Sequence, residues 1–97
     1  APGLSYKSVK WFRDHDIAAV ATDTFSFEVW PTEDEGILLP VHLLHLVEMG
    51  MMQGQHWFLD ELAEDCAGDG VYQFLLHASP ERITGGTGSP VNPIAMF

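Results

Sequence analysis

The chain has 97 residues, of which 46% are hydrophobic, and its formal net charge is -10. This composition indicates a globular chain rather than a disordered one, and a single small domain that buries only about 60 to 65% of the surface exposed by its unfolded form. The four basic residues are outnumbered by 14 acids, so repulsion makes nucleic acid and an anionic membrane surface unfavourable partners.

The first third of the chain predicts a helix, a strand and a loop, in that order. Ser5 is a plausible N-cap, and the apolar residues after it recur at helical spacing over about residues 6–14. Residues 17–22 form a nearly unbroken apolar run, which is typical of a strand buried on both faces and which leads into Asp23. A helix followed closely by a buried strand indicates α/β layering. Residues 25–36 contain a proline and a run of charges, which predict a loop.

The remaining two thirds predict alternating helices and strands. A helix over 39–49 accommodates Pro40 in its first turn and ends at Gly50. An amphipathic helix follows over 59–66 and ends at Gly68. The other predicted elements are short strands at 51–55 and 71–77, a glycine-rich turn at 85–90 and a terminal edge strand at 91–97.

The chain has one cysteine, Cys66, so it cannot form an internal disulfide, and it begins without a charged and apolar leader. We therefore expect a cytoplasmic location. The most apolar stretch, residues 37–52, is interrupted by Pro40 and by charged and histidine side chains, and it is too short and too polar to span a bilayer.

Two features of the sequence are candidates for a functional site: a set of three polar residues and a single aspartate. His42, His45 and Glu48 lie three residues apart on one side of the predicted helix, where they would either chelate a metal or form a plain polar stripe. Asp23 follows a predicted buried strand, which is a common position for site residues in layered α/β proteins, although a turn-forming aspartate explains the same pattern. The sequence alone leaves both alternatives open.

Three stretches resemble the C-terminal half of the metal-dependent cyclase family, which includes bacterial kynurenine formamidase and isatin hydrolase. They are "SYKSVKWFRDHDIAAVATDTFSFE", "LPVHLLHLVEMGMMQGQHWFLDELAEDCAGDGVYQFLLHASP" and "ITGGTGSPVNPIA", and the "GTGSPV" segment is the most specific part. The resemblance implies an α/β fold in which helices are layered on a mixed β-sheet, of the swivelling β/β/α type. It also implies a divalent metal, zinc or manganese, that activates water to open an amide, lactam or formamide bond of a small molecule.

The resemblance further implies roles for individual residues. His42 matches the histidine that such proteins contribute to the metal, and Gln55 matches their late carboxylate or amide ligand. His45 and Asp23 would be further ligands or would support the ligands, while His56 and Trp57 would line or support the pocket. If residues 51–55 continue as an extended strand, Gln55 and His56 point to opposite faces, and Gln55 alone faces the metal.

The sequence departs from the family pattern at two points. The main metal motif, His-x-Gly-Thr-His-x-Asp-x-Pro-x-His, is absent from these 97 residues, and formamidases usually have glutamate at the position of Gln55. We therefore expect residues 1–97 to be the C-terminal portion of a single cyclase-type domain, inactive alone. The N-terminal portion, on the same or a separate chain, would be its partner within a homo-oligomer. The alternative is a non-catalytic acidic domain that keeps the fold to bind a small molecule or to assemble.

Overall fold

Short helices and strands are separated by irregular connections throughout the chain. The computed structural model describes all 97 residues. They divide into two compact units, Ala1–Leu59 and Asp60–Phe97. The chain length, by contrast, predicts one small domain. The main core, which contains Val9, Phe27 and Val41, belongs wholly to the first unit. Each unit is therefore described separately.

The first unit contains five regular elements. They are a 3-10 turn (Tyr6–Ser8), helix α1 (Val9–Asp14), strand β1 (Ala19–Ala21), helix α2 (Pro40–His42), which continues as a π-helix (Leu43–Glu48), and strand β2 (Met52–Gly54). The predicted helix over 6–14 is confirmed, with its first turn in 3-10 geometry. Ser5 caps it as expected, because its hydroxyl accepts a hydrogen bond from the Lys7 backbone N–H at 3.2 Å.

Strands β1 and β2 form a two-stranded parallel sheet in which Ala19 pairs with Met52 and Ala21 with Gly54. Both strands are predicted from the sequence, but β1 is not buried on both faces. Ala19 is exposed and Val20 is half-buried, so packed side chains cover neither face of β1 completely.

The helix predicted over 39–49 is present, and we call its two parts together the 40–48 helix. Pro40 occupies the first turn, where its missing N–H leaves no intrahelical hydrogen bond unmade. From Leu43 onward the helix widens to π geometry, and the Met49 N–H donates to the Leu44 carbonyl five residues earlier at 2.9 Å. The α-helical spacing assumed from the sequence therefore does not apply to its second half.

The second unit contains helix α3 (Asp60–Asp69) and an antiparallel pair of strands, β3 (Leu75–His77) and β4 (Ile94–Met96). The predicted helix end at Gly68 is wrong, because the helix continues to Asp69. It ends at Gly70, which has φ +72° and whose N–H donates to the Cys66 carbonyl at 2.9 Å.

The strands of this unit are shorter than the sequence predicts. Strand β3 covers only the end of the predicted 71–77 strand, since the Val71 N–H is bound to the Asp69 carboxylate at 3.0 Å in a turn that follows α3. The predicted edge strand is confirmed as β4. The glycine-rich segment contains a turn in which the Gly86 N–H donates to the Ile83 carbonyl at 3.0 Å.

The α/β class is thus confirmed, but the predicted single mixed sheet is not observed. The parallel pair and the antiparallel pair are separate two-stranded sheets, one in each unit. Every strand has three residues and one strand partner, so neither pair extends into a larger sheet. None of the helices combines the length and the apolar character needed to cross a bilayer.

Candidate functional site

A cleft of about 300 Å³ in the first unit brings together residues from three separate segments. We call it the His42 cleft. Its walls are mostly apolar, and three of its lining residues, His42, Gln55 and His56, have side chains of a type that can bind a metal or a polar group. It is lined by Phe25, Ser26, Trp30, Leu38, Leu39, His42, Gln55 and His56. A small number of polar groups around a mostly apolar cleft is typical of small-molecule binding sites.

His42 is half-buried at the start of the 40–48 helix and is held there through one ring nitrogen. Its Nδ1 lies 2.5 Å from Oε2 of Glu28, and its backbone N–H donates to the same oxygen at 2.9 Å. Its Nε2 makes no hydrogen bond within the chain, so Nε2 is the nitrogen left for a ligand.

Gln55 and His56 follow strand β2 and line the same cleft. The extended strand on which their opposite orientation depends ends at Gly54, before both residues. His56 has φ +59°, in the left-handed region that non-glycine residues seldom adopt. The backbone N–H of His56 donates to the Thr24 carbonyl at 3.2 Å, and that of Trp57 donates to the Thr22 carbonyl at 3.1 Å. These bonds hold the turn that places both residues at the cleft.

The aromatic residues beside this turn have different roles. The His56 ring meets Phe25 edge to face, with 5.3 Å between ring centroids. Trp57, predicted to line or support the pocket, is not among the lining residues. It packs on the end of β2 instead, where a Cβ at Gly54 would lie only 2.6 Å from Trp57 Nε1. Trp57 therefore supports the turn rather than the cleft surface.

The predicted stripe of His42, His45 and Glu48 does not form a common ligand set. His45 is completely buried, Glu48 is exposed, and His42 lies between these extremes. Residues three apart share a face in an α-helix, but the π geometry after Leu43 rotates them apart. No group of three or more His, Cys, Asp or Glu side chains in this chain is arranged to hold a metal ion.

His45 is enclosed by aromatic rings and is not a lining residue of the cleft. The ring centroids of Phe12 and Phe27 lie 5.6 and 5.7 Å away, both nearly perpendicular to the imidazole. Burial lowers the pKa of His45, and the neighbouring Gln53 carboxamide partly opposes that lowering. Neither ring nitrogen reaches hydrogen-bonding geometry with Gln53 or with any other group. His45 therefore belongs to the core rather than to the site.

The remaining candidates lie outside the cleft. Asp23 is exposed after β1 and is not a lining residue. A larger cleft of about 500 Å³ is lined by Phe12, Arg13, Asp16, Ile17, Ala18, Glu48, Met49, Gly50 and Met51. Of the candidate residues that the sequence singles out it holds only Glu48, and it holds no histidine, so the His42 cleft is the better candidate.

Glu28 is the site residue that the sequence analysis missed. It lies in the segment predicted as a loop, yet it is only 2% exposed and it holds the start of the 40–48 helix. The only sequence signal is a single acid among the large apolar residues of the run "FSFEVW". An acid in such surroundings is seldom buried unless it is paired.

Comparisons with known proteins relate this chain to a cyclase. No protein-family model matches the chain, and no curated protein matches it. A solved crystal structure described as that of a novel cyclase is 42% identical in sequence, with a TM-score of 0.88. The match covers 98% of this chain and 30% of the cyclase chain, so the chain spans less than a third of that protein. The expected resemblance to cyclases is confirmed as a similarity of sequence and fold to this one cyclase.

Proposed function

We propose that this chain is the C-terminal portion of a cyclase-family, metal-dependent hydrolase that opens an amide, lactam or formamide bond of a small molecule. The observation that carries the proposal is the His42 cleft, in which an imidazole with a free Nε2 and a carboxamide lie at one apolar surface. The 42% identity to a cyclase over nearly the whole chain supports it.

The residues of the cleft suit part of a metal site. Imidazole nitrogen and amide oxygen are both ligands for zinc and manganese, and His42 and Gln55 would supply them. Two such donors do not complete a coordination sphere, which agrees with the absence of a full ligand group from this chain. A bound divalent metal would lower the pKa of water towards neutrality and polarise a carbonyl oxygen.

The apolar wall of the cleft fits the non-reacting part of a small substrate. Phe25, Trp30, Leu38 and Leu39 present aromatic and aliphatic surface beside the polar residues. Such a surface favours an aryl or alkyl group next to the amide, because burial of apolar area stabilises the bound state by about 25 cal/mol per Å². We infer an arylformamide, an aryl lactam or a related amide as the substrate class.

The rest of the site must come from another part of the protein. The exposed apolar side chains of β3 and β4 suit burial by such a partner, since Leu75, Leu76, Ile94 and Met96 are all at least 46% exposed. These apolar side chains are thus only partly covered, and a pair of strands is marginally stable alone. The proposed partner is the N-terminal portion of the same enzyme, on the same or a separate chain, within a homo-oligomer.

The proposal is tested by metal analysis of the intact protein. Purified wild-type protein should contain zinc or manganese and hydrolyse a simple arylformamide, whereas His42→Ala should lose both properties. His77→Ala is the matched control, since His77 is an exposed histidine of β3 and should leave metal content unchanged. Full metal content in the His42→Ala protein would refute the assignment.

The second candidate is a non-catalytic acidic domain that keeps the cyclase fold to bind a small molecule or to assemble. The observation in its favour is that no complete metal-ligand group is present in the chain. It predicts an intact protein that has no His/Asp metal motif in its remaining sequence, binds no zinc or manganese and shows no amide hydrolysis. Retention of an aryl amide without turnover would then identify a binding function.

A further inference from the structure

Glu28 is a buried carboxylate that receives three hydrogen bonds from two consecutive residues. Its Oε1 accepts from the Val41 backbone N–H at 2.9 Å. Its Oε2 accepts from the His42 backbone N–H at 2.9 Å and lies 2.5 Å from His42 Nδ1. Thirteen and fourteen residues separate Glu28 from these partners, so the contacts are tertiary.

These contacts explain why an acid is tolerated in this position. Burying an unpaired carboxylate costs several kcal/mol, and the cost is offset only when its oxygens are well satisfied. The backbone N–H groups at the start of a helix have no intrahelical partner, so Glu28 satisfies donors that would otherwise be orphaned. Bonds between a charged acceptor and N–H groups are also among the stronger ones in proteins.

The segment that carries Glu28 is itself held in place from two sides. The Leu4 N–H donates to the Phe27 carbonyl at 2.9 Å, and the Val29 N–H donates to the Leu4 carbonyl at 3.2 Å. The Ser26 hydroxyl donates to the Glu28 carbonyl at 2.6 Å. Phe27 is completely buried. The carboxylate therefore projects from a fixed backbone rather than from a mobile loop.

The same carboxylate oxygen, Glu28 Oε2, therefore contacts both the backbone N–H and the ring Nδ1 of His42. A carboxylate accepts hydrogen bonds and cannot donate one, so the proton of a neutral His42 ring lies on Nδ1. The lone pair then lies on Nε2, which makes no hydrogen bond within the chain.

We propose that Glu28 is a positioning residue that fixes His42 in the Nδ1–H tautomer and orients its Nε2 lone pair for a divalent metal. This inference rests on the proposed function, in which His42 is a metal ligand. Carboxylates that bind the second nitrogen of a ligating histidine orient the ring and raise its basicity. The geometry also links metal binding to the first turn of the 40–48 helix, because the same carboxylate holds both.

The tautomer can be measured without a substitution. The ¹⁵N chemical shifts of His42, recorded at pH 8 in the metal-free intact protein, should show a protonated Nδ1 and a bare Nε2. His42→Ala identifies the signal. A His42 ring that carries a proton on Nε2 in the wild-type protein would overturn the inference, whether or not the protein binds metal.

The effect on binding is tested with Glu28→Gln, which keeps the side-chain shape but removes the charge and one acceptor oxygen. Affinity for zinc, measured by competition with a chromophoric chelator, should fall about 10- to 100-fold. Glu48→Gln is the matched control, because Glu48 is exposed at the end of the same helix and should leave the affinity unchanged.

The outcomes separate this inference from the proposed function. If His42→Ala loses zinc while Glu28→Gln binds it like the wild type, the positioning role is wrong and the metal site remains. If neither the wild type nor any variant binds zinc or manganese, the proposed function is wrong, and Glu28 has no metal ligand to position. If Glu28→Gln fails to fold, the tautomer of the wild-type ring decides the question.

Discussion

Replacement of His45 by leucine should remove the part of the acid-dependent loss of stability that comes from this buried histidine. His45 is fully buried between Phe12 and Phe27, and neither of its ring nitrogens has a hydrogen-bond partner. Burial lowers the pKa of the ring below its ordinary value of 6.5. The folded protein therefore holds His45 neutral at a pH where the unfolded chain takes up a proton.

The sign and size of the effect follow from proton linkage. Below pH 6.5 the unfolded state binds more protons at this residue than the folded state, so the free energy of unfolding falls as the pH falls. The largest slope from one such group is about 1.4 kcal/mol per pH unit, and it continues until His45 is protonated in the folded state as well.

At pH 8 the two proteins should differ less. Leucine removes two buried polar atoms that lack partners, each of which costs about 1 to 3 kcal/mol. It also removes two edge-to-face contacts, worth about 0.5 to 1.5 kcal/mol each. These changes oppose each other, so His45→Leu should be as stable as the wild type or slightly more stable.

The assay is urea unfolding of the intact protein at pH 8, 7, 6 and 5.5, for the wild type, His45→Leu and His77→Gln. The wild type and His45→Leu differ only at residue 45, so the difference between their pH dependences isolates the contribution of His45. His77 is exposed, so its replacement should not change how the free energy of unfolding varies with pH. Equal pH dependence in the wild type and His45→Leu would refute the reasoning.

Three further predictions concern the cleft and its surroundings. Gly54→Ala should lower stability to urea by about 1 to 3 kcal/mol, because the new Cβ would overlap Trp57, and an unchanged midpoint would contradict this packing. Burial raises the pKa of the Cys66 thiol, so iodoacetamide should modify the folded protein at pH 8 far more slowly than the urea-unfolded protein, and equal rates would count against it. Gln55→Ala should lower the metal content of the intact protein, whereas His56→Ala should raise KM for an arylformamide and keep the metal; metal loss from His56→Ala alone would reverse these roles.

The sequence by itself determined most of the local structure. Helical spacing after Ser5 located α1, and a short apolar run located β1. These predictions succeed because a helix or strand pattern depends on residues a few positions apart. The family resemblance selected His42 and Gln55, which the structure brings to one cleft, although their role as metal ligands stays a prediction.

Only the tertiary structure decided which side chains surround that cleft. Glu28 holds His42 across fourteen residues, and no periodic pattern encodes a contact over that separation. His45 is withdrawn from the predicted ligand set because the helix changes to π geometry and encloses it between two phenylalanines. His56 reaches the cleft because two backbone hydrogen bonds to the segment after β1 hold it at positive φ. Each of these three arrangements depends on contacts between residues that are far apart in the chain. The stabilisation from these contacts outweighs the local conformational preferences that the sequence shows.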